Sequence, residues 1–138
     1  MYYLTKIFEI PMSHRLSKLE GSKCINLHGH NIILEVTIKS NFLNSNDMVL
    51  DFSELRKIVN ELTDSWDHGI FLNQTDANCI EENCVKHIFD QDPTSEVLCK
   101  YLYEKLSEEL LRRYNNNTIF VHSIGMWETR DSKCVYQP

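Results

Sequence analysis

An α+β fold is the class this 138-residue sequence predicts, on three observations. Ile32, Leu34, Val36 and Ile38 occupy every second position of residues 31–39, the period of a half-buried strand. Leu55, Ile58, Val59 and Leu62 recur at helical spacing, as a core-facing stripe does. Residues 118–127 are rich in β-branched and aromatic side chains, as strands are. In chain order the elements read strand, strand, helix, helix, strand, strand, which groups strands apart from helices.

Residues 2–10 mix β-branched and aromatic residues and form the first strand; residues 11–27, with a glycine, serines and charges, form a loop. The second strand runs over 31–39, and 41–47 is turn-rich. Asp51-Phe-Ser-Glu54 starts the first helix: Asp51 caps the free amides and Glu54 reaches back in a capping box. Residues 67–73 break that helix, and 78–90 hold a short helix and a short extended piece. Asp92-Pro-Thr-Ser-Glu96 starts the second helix with proline in its first turn. The stripe Val97, Leu98, Tyr101, Leu102, Leu106 carries that helix to about Tyr114. A polar turn at 115–117 leads into the strand at 118–127, and 133–136 is a last short strand. No repeat, low-complexity stretch or linker interrupts the pattern, so residues 1–138 are expected to form one domain.

The net charge is −6 and no run of lysines or arginines stands out, which argues against a nucleic-acid surface. Apolar runs are too short to span a bilayer, and the first residues lack a signal-peptide pattern. Five cysteines, an odd number, are then expected as reduced thiols in a cytoplasmic protein. Cys84, Cys99 and Cys134 read as small core or surface residues.

Cys24-Ile-Asn-Leu-His-Gly-His30 carries the strongest chemical signal. On a strand, His28 and His30 point to one face, close enough to share a metal ion. Imidazole suits zinc, and a catalytic zinc takes three protein ligands and keeps one position open. His14, after the first strand, is available as the third ligand. Cys24 is either a fourth ligand closing a structural site or a thiolate near the metal acting as general base. The remaining polar residues favour the base: Asp67-His68 sets a carboxylate beside an imidazole, and Glu128 follows the strand ending at Trp127.

These pieces, taken together, resemble the 6-pyruvoyltetrahydropterin synthase / 6-carboxytetrahydropterin synthase (QueD) family. The matching segments are Phe8-Glu-Ile-Pro-Met-Ser-His14-Arg-Leu, Cys24-Ile-Asn-Leu-His28-Gly-His30-Asn, Met48-Val-Leu-Asp51-Phe, Asp67-His68 with Leu72-Asn73, Pro93-Thr-Ser-Glu96, and Glu128-Thr129. They stand in family order and cover nearly the whole chain. The resemblance implies that His14, His28 and His30 bind Zn2+, that Cys24 is the catalytic base, and that Asp67 and His68 form its relay. It implies that Glu128 anchors a pterin, with Thr94 and Glu96 in the pterin pocket. A carboxylate suits that task because it is acceptor-only and can take two adjacent N–H donors at once.

The short spacing from Cys24 to His28, the Leu-His-Gly-His form and the ending Cys134-Val-Tyr are similar to the bacterial carboxy-forming branch. That branch implies conversion of 7,8-dihydroneopterin triphosphate to 6-carboxy-5,6,7,8-tetrahydropterin, acetaldehyde and triphosphate, a step toward queuosine. The family fold implied is the tunnelling fold, a four-stranded antiparallel sheet with two helices on one face. Three such sheets join into a barrel and two trimers stack as a homohexamer, with active sites between subunits. The alternatives are a pyruvoyl-forming synthase and a non-catalytic, zinc-stabilised interaction domain. Arg15 and Lys23 lie near the site in sequence and are candidates to meet phosphate. Two departures stand out: Asp47 occupies a turn where relatives usually carry glycine, and 74–92 is longer than in compact relatives. Cys79, Cys84 and His87 in that stretch match no zinc spacing, so it reads as a helix-and-loop insertion.

Overall fold

A computed structural model describes residues 1–80, 83–114 and 118–138. Among them the strands are β1 (Tyr2–His14), β2 (His28–Ser40), β3 (Ile70–Asn73), β4 (Lys86–Phe89), β5 (Phe120–Thr129) and β6 (Ser132–Tyr136). The helices are α1 (Phe52–Thr63) and α2 (Ser95–Arg113). The α+β class holds, but the sheet is six-stranded and mixed, in the order β4-β3-β1-β2-β5-β6. This corrects the four-stranded antiparallel expectation. The four strands legible in the sequence, β1, β2, β5 and β6, do pair antiparallel. β3 and β4 add a parallel extension on the far side of β1. Each has only four residues, too few to show a period, and β3 meets β1 only through Ser13 and His14.

β1 runs four residues further than the apolar pattern suggested, through Pro11 to His14. Its partner holds it there: the β1–β2 ladder is continuous from Tyr2↔Ser40 to His14↔His28. Proline is tolerated because β3 joins that edge only from Ser13 onward, and the Pro11 carbonyl accepts the His68 amide at 2.8 Å.

Even-numbered residues of β1 and β2 face the helices. Ile10, Met12, Ile32, Leu34, Val36 and Ile38 are buried in one cluster with Leu55, Ile58 and Val59 of α1 and Leu98, Leu102, Leu106 and Leu110 of α2. Odd-numbered residues, Ile7 and Tyr3 among them, form the outer face. Asp51 caps α1, accepting the Ser53 amide at 2.7 Å. Glu54 does not need to reach back to complete the cap: its carboxylate accepts the Tyr114 hydroxyl at 2.6 Å and joins the ends of the two helices. Thr94 caps α2 through the Val97 amide, so Pro93 lies outside the helix rather than in its first turn. Asp47 has φ +58°, the left-handed region that favours glycine and that aspartate tolerates better than most residues. The expected turn at 115–117 lies outside the described residues, as do 81 and 82 of the 78–90 stretch.

Candidate active site

The hairpin register assembles the site. His14 and His28 are directly opposite each other, and His30 follows two residues along the same face. The three rings meet edge to face, with centroids 4.6–5.2 Å apart. β5 pairs with β2 through Ile33↔Trp127 and Leu34↔Met126, which sets Glu128 on the helix-facing side at the Ile32 and His30 end of β2. Ligand atoms of His14, His28, His30 and Glu128 all lie within 4.8 Å of one another.

Backbone carbonyls fix two of the rings. His14 Nδ1 lies 2.9 Å from the Pro93 carbonyl, and His28 Nδ1 lies 2.8 Å from that of Asn26. A carbonyl only accepts, so each Nδ1 carries the proton and each Nε2 offers a lone pair. Those two Nε2 atoms face each other at 3.0 Å. Two lone pairs this close repel unless a cation lies between them, and two nitrogens bound tetrahedrally to one zinc sit about 3.3 Å apart. His30 Nε2 is buried and has no hydrogen-bond partner, although Glu128 Oε1 lies 3.0 Å away. Burial holds the His14 pKa below its ordinary value, opposed by the Pro93 bond and the Glu128 charge, so the ring is neutral and ready to ligate. The residues fit a metal ion.

Glu128 also faces a cleft. Its Oε2 accepts a hydrogen bond from Ser95 Oγ at 3.0 Å, and its Oε1 lies 3.7 Å from His14 Nε2. Thr94, Ser95, Glu96, Glu128 and Cys134 line an open cleft of about 490 Å³. The three residues expected around a pterin therefore share one cleft that abuts the histidine cluster. Ser95 belongs to the helix start and to the Pro93–Glu96 segment but carries no expected role of its own, and the Pro93 and Asn26 carbonyls have no signature at all, because a main-chain oxygen is the same in every residue.

Cys24 sits in a one-turn helix, Lys23–Ile25, between β1 and β2. Ser22 Oγ accepts its amide at 3.1 Å, and its carbonyl accepts the Leu16 amide at 2.9 Å. The thiol is half-buried and is not one of the four clustered ligands. Asp67 and His68 are paired with each other but are not joined to the cluster. Their side chains are 56% and 85% exposed, on a corner where His68 has φ +58°. Gly69 follows because a Cβ there would come 2.8 Å from the Ser65 carbonyl. Arg15 does not stand free for phosphate: it lies 3.8 Å from the Asp76 carboxylate. His87 donates to the Ser65 carbonyl at 2.8 Å and stacks on Phe71, a structural role that suits an insertion.

The sequence model of the family described as 6-pyruvoyl tetrahydropterin synthase matches residues 3–138. The chain belongs to that family. The 6-carboxy-5,6,7,8-tetrahydropterin synthase of Aquifex aeolicus (strain VF5) is 32% identical over 124 residues, 84% of this chain and 76% of that protein. The enzyme of the same name from Haemophilus influenzae is 30% identical over 148 aligned positions, 99% of each chain. Among solved structures, an uncharacterized protein of Wolinella succinogenes superposes with a TM-score of 0.80 at 19% identity, covering 99% of this chain and 97% of that one. The 6-pyruvoyl tetrahydropterin synthase of Caenorhabditis elegans gives 0.73 at 23% identity, covering 99% and 95%. The family fold is thus shared well beyond the range of close sequence similarity.

Proposed function

We propose that this protein is a zinc-dependent 6-carboxy-5,6,7,8-tetrahydropterin synthase, a lyase. Its substrates would be 7,8-dihydroneopterin triphosphate and water, and its products 6-carboxytetrahydropterin, acetaldehyde and triphosphate, on the route to queuosine. The observation that carries this reading is the histidine cluster opening, through Glu128, onto the Thr94–Glu96 cleft. The relatives named for that activity support it.

His14, His28 and His30 would hold the ion. A zinc ion bound there supplies a Lewis acid that polarises hydroxyls of a substrate side chain. Glu128, with Thr94 and Glu96, would hold the pterin by its N–H edge; Ser95 orients the carboxylate through Oε2. Cys24 is the base that takes a proton from the substrate side chain, and the Asp67–His68 pair moves protons to and from solvent. His68 suits this task because an imidazole ring offers one nitrogen that donates and one that accepts. Because the pair is exposed on the single chain, it is assigned to the site of a neighbouring subunit. The outer sheet face bears exposed Tyr3, Ile7 and Val135, and β4 and β6 end the sheet with open edges. Joining such edges into a barrel covers both, in keeping with a hexamer of two stacked trimers in the cytoplasm.

The pyruvoyl-forming reaction is the second reading, favoured by the description of the family model itself. Incubation of the zinc-loaded protein with dihydroneopterin triphosphate, followed by mass analysis, decides between them. The expected products are the carboxypterin and acetaldehyde; a pyruvoylpterin would establish the second reading, and unchanged substrate would defeat both.

A further inference from the structure

We propose that Asp92 is a positioning residue for the metal centre: it aims the Pro93 carbonyl at His14 by tying two other chain segments, residues 17–18 and Asn73, to its carboxylate. The inference rests on the metal-binding reading of the histidine cluster.

Asp92 Oδ1 accepts Ser17 Oγ at 3.1 Å and Asn73 Nδ2 at 2.9 Å, and Oδ2 accepts the Lys18 amide at 2.8 Å. Ser17 and Lys18 lie just beyond His14, and Asn73 ends β3, the strand whose Phe71 pairs with His14. Asn73 is buried, and its own Oδ1 is used by the Thr75 amide at 3.1 Å, so its amide group has a fixed direction. On the other side of Pro93, the Thr94 amide donates to the Asp92 carbonyl at 2.8 Å, and Thr94 caps α2. The Pro93 carbonyl is therefore held from both sides, and proline's fixed φ removes a further freedom.

That carbonyl is the acceptor for His14 Nδ1. It sets the tautomer that leaves Nε2 free, and it sets the angle of the ring. Partners of this kind around metal-ligating histidines are worth roughly 10–100-fold in metal affinity. The Asp92 carboxylate touches neither the cleft side chains nor the ligands in the contacts described above, its residue meeting the cleft only through the main-chain bond from Thr94, so the effect of the carboxylate passes through Pro93 and His14.

The test is zinc affinity, measured by competition with a chromophoric chelator on the full chain, alongside thermal unfolding of the metal-free protein. Asp92→Ala should bind zinc roughly 10–100-fold more weakly than wild type. Asp92→Asn keeps one acceptor oxygen and should recover part of that loss, and Ser17→Ala, which removes one bond of three, should lose less than Asp92→Ala. Glu109→Ala breaks an ion-pair group with Arg112 and Arg113 at the far end of α2 and is the control for general destabilisation. It should leave zinc affinity unchanged. The nitrogen chemical shifts of His14 add a direct readout: wild type should show the proton on Nδ1, and Asp92→Ala a mixture of tautomers. If Asp92→Ala does not fold, Asp92→Asn and Ser17→Ala carry the same comparison. Zinc affinity within twofold of wild type in the folded Asp92 variants, or an equal loss in Glu109→Ala, would overturn the positioning role. Failure of the wild type itself to bind zinc would overturn the metal-centre reading, and the positioning role with it.

Discussion

His14 is 2% exposed, whereas the side chain of His68 is 85% exposed, although both are anchored at the end of β1. The His14 ring is held by the Pro93 carbonyl and two neighbouring imidazoles. His68 is held by its main chain, through the Pro11 carbonyl and a left-handed φ, while its ring pairs only with adjacent Asp67. One group is finished within a single chain. The other is a rigid corner that presents an acid–imidazole pair outward. Orienting a side chain toward solvent through a strained backbone has a cost that a surface residue would ordinarily avoid. The contrast motivates the proposed division, in which each chain would supply its own histidine site and lend its Asp67–His68 pair to another.

The strongest way to break this contrast is to attack the finished group. His28→Ala or His30→Ala removes one of three imidazole ligands and should abolish stoichiometric zinc binding, with turnover lowered by more than about 10³-fold. Elemental analysis of the purified variants checks it. Full zinc occupancy in both would mean that these histidines are not the ligands.

The acid–base groups, Cys24 and the lent His68, should behave differently. Cys24→Ala and His68→Ala should each keep zinc and lose about 10²–10⁴-fold in rate, the range of a lost acid–base group. Mixing the two inactive proteins, dissociating them and letting them reassemble creates interfaces with an intact Cys24 beside an intact His68. Part of the activity should return. Mixed oligomers that form and stay dead would place base and relay in one chain.

Much of this contrast was legible in the sequence, for physical reasons that also explain what was not. Long strands and amphipathic helices announce themselves by period, so β1, β2, α1, α2 and β5 were found, with ends wrong by a few residues. The end of β1 was missed because Pro11 and the polar Ser13 hide a strand held by its partner's register. β3 and β4 are four residues each, and pairing across the sheet, not local pattern, makes them strands. The clustering of His14 with His28-Gly-His30 was anticipated from residue type and spacing. The approach of Glu128 to His30, across 98 positions of sequence, comes from the β2–β5 register and was not. The proximity of Glu128 to the histidines adds to its proposed part at the pterin, since its two oxygens face the histidines and Ser95 respectively.

That double position sharpens the third test. Glu128→Gln replaces one acceptor oxygen with a donor facing the pterin N–H groups. Loss of a charged hydrogen bond in a desolvated pocket costs roughly 1.5–3 kcal/mol, which is about 10–100-fold in binding. Pterin affinity, measured by calorimetry, should fall by that factor with zinc retained. Unchanged affinity would transfer the anchor to another carboxylate of the cleft, Glu96.

The smallest effect should come from stability, where the two histidines ought to part company. His14→Ala leaves the buried Pro93 carbonyl without its donor, at a cost of about 1–3 kcal/mol in the metal-free protein. His68→Gly loses an exposed ion pair worth about 0–1 kcal/mol. Glycine also adds about 0.5–1 kcal/mol of unfolded-state entropy to be overcome. Against both stands relief of a left-handed φ, roughly 1–2 kcal/mol for a residue with a side chain. These terms nearly cancel, so metal-free His68→Gly should unfold within about 1 kcal/mol of wild type while its catalytic activity collapses. A residue that can be removed at no cost to the fold, yet sits in an unfavourable backbone conformation, is held there for what its side chain does. Denaturant unfolding of the two variants checks the order. If His68→Gly proves the less stable, the imidazole supports its own corner, and the contrast between a finished site and a lent one loses its energetic half.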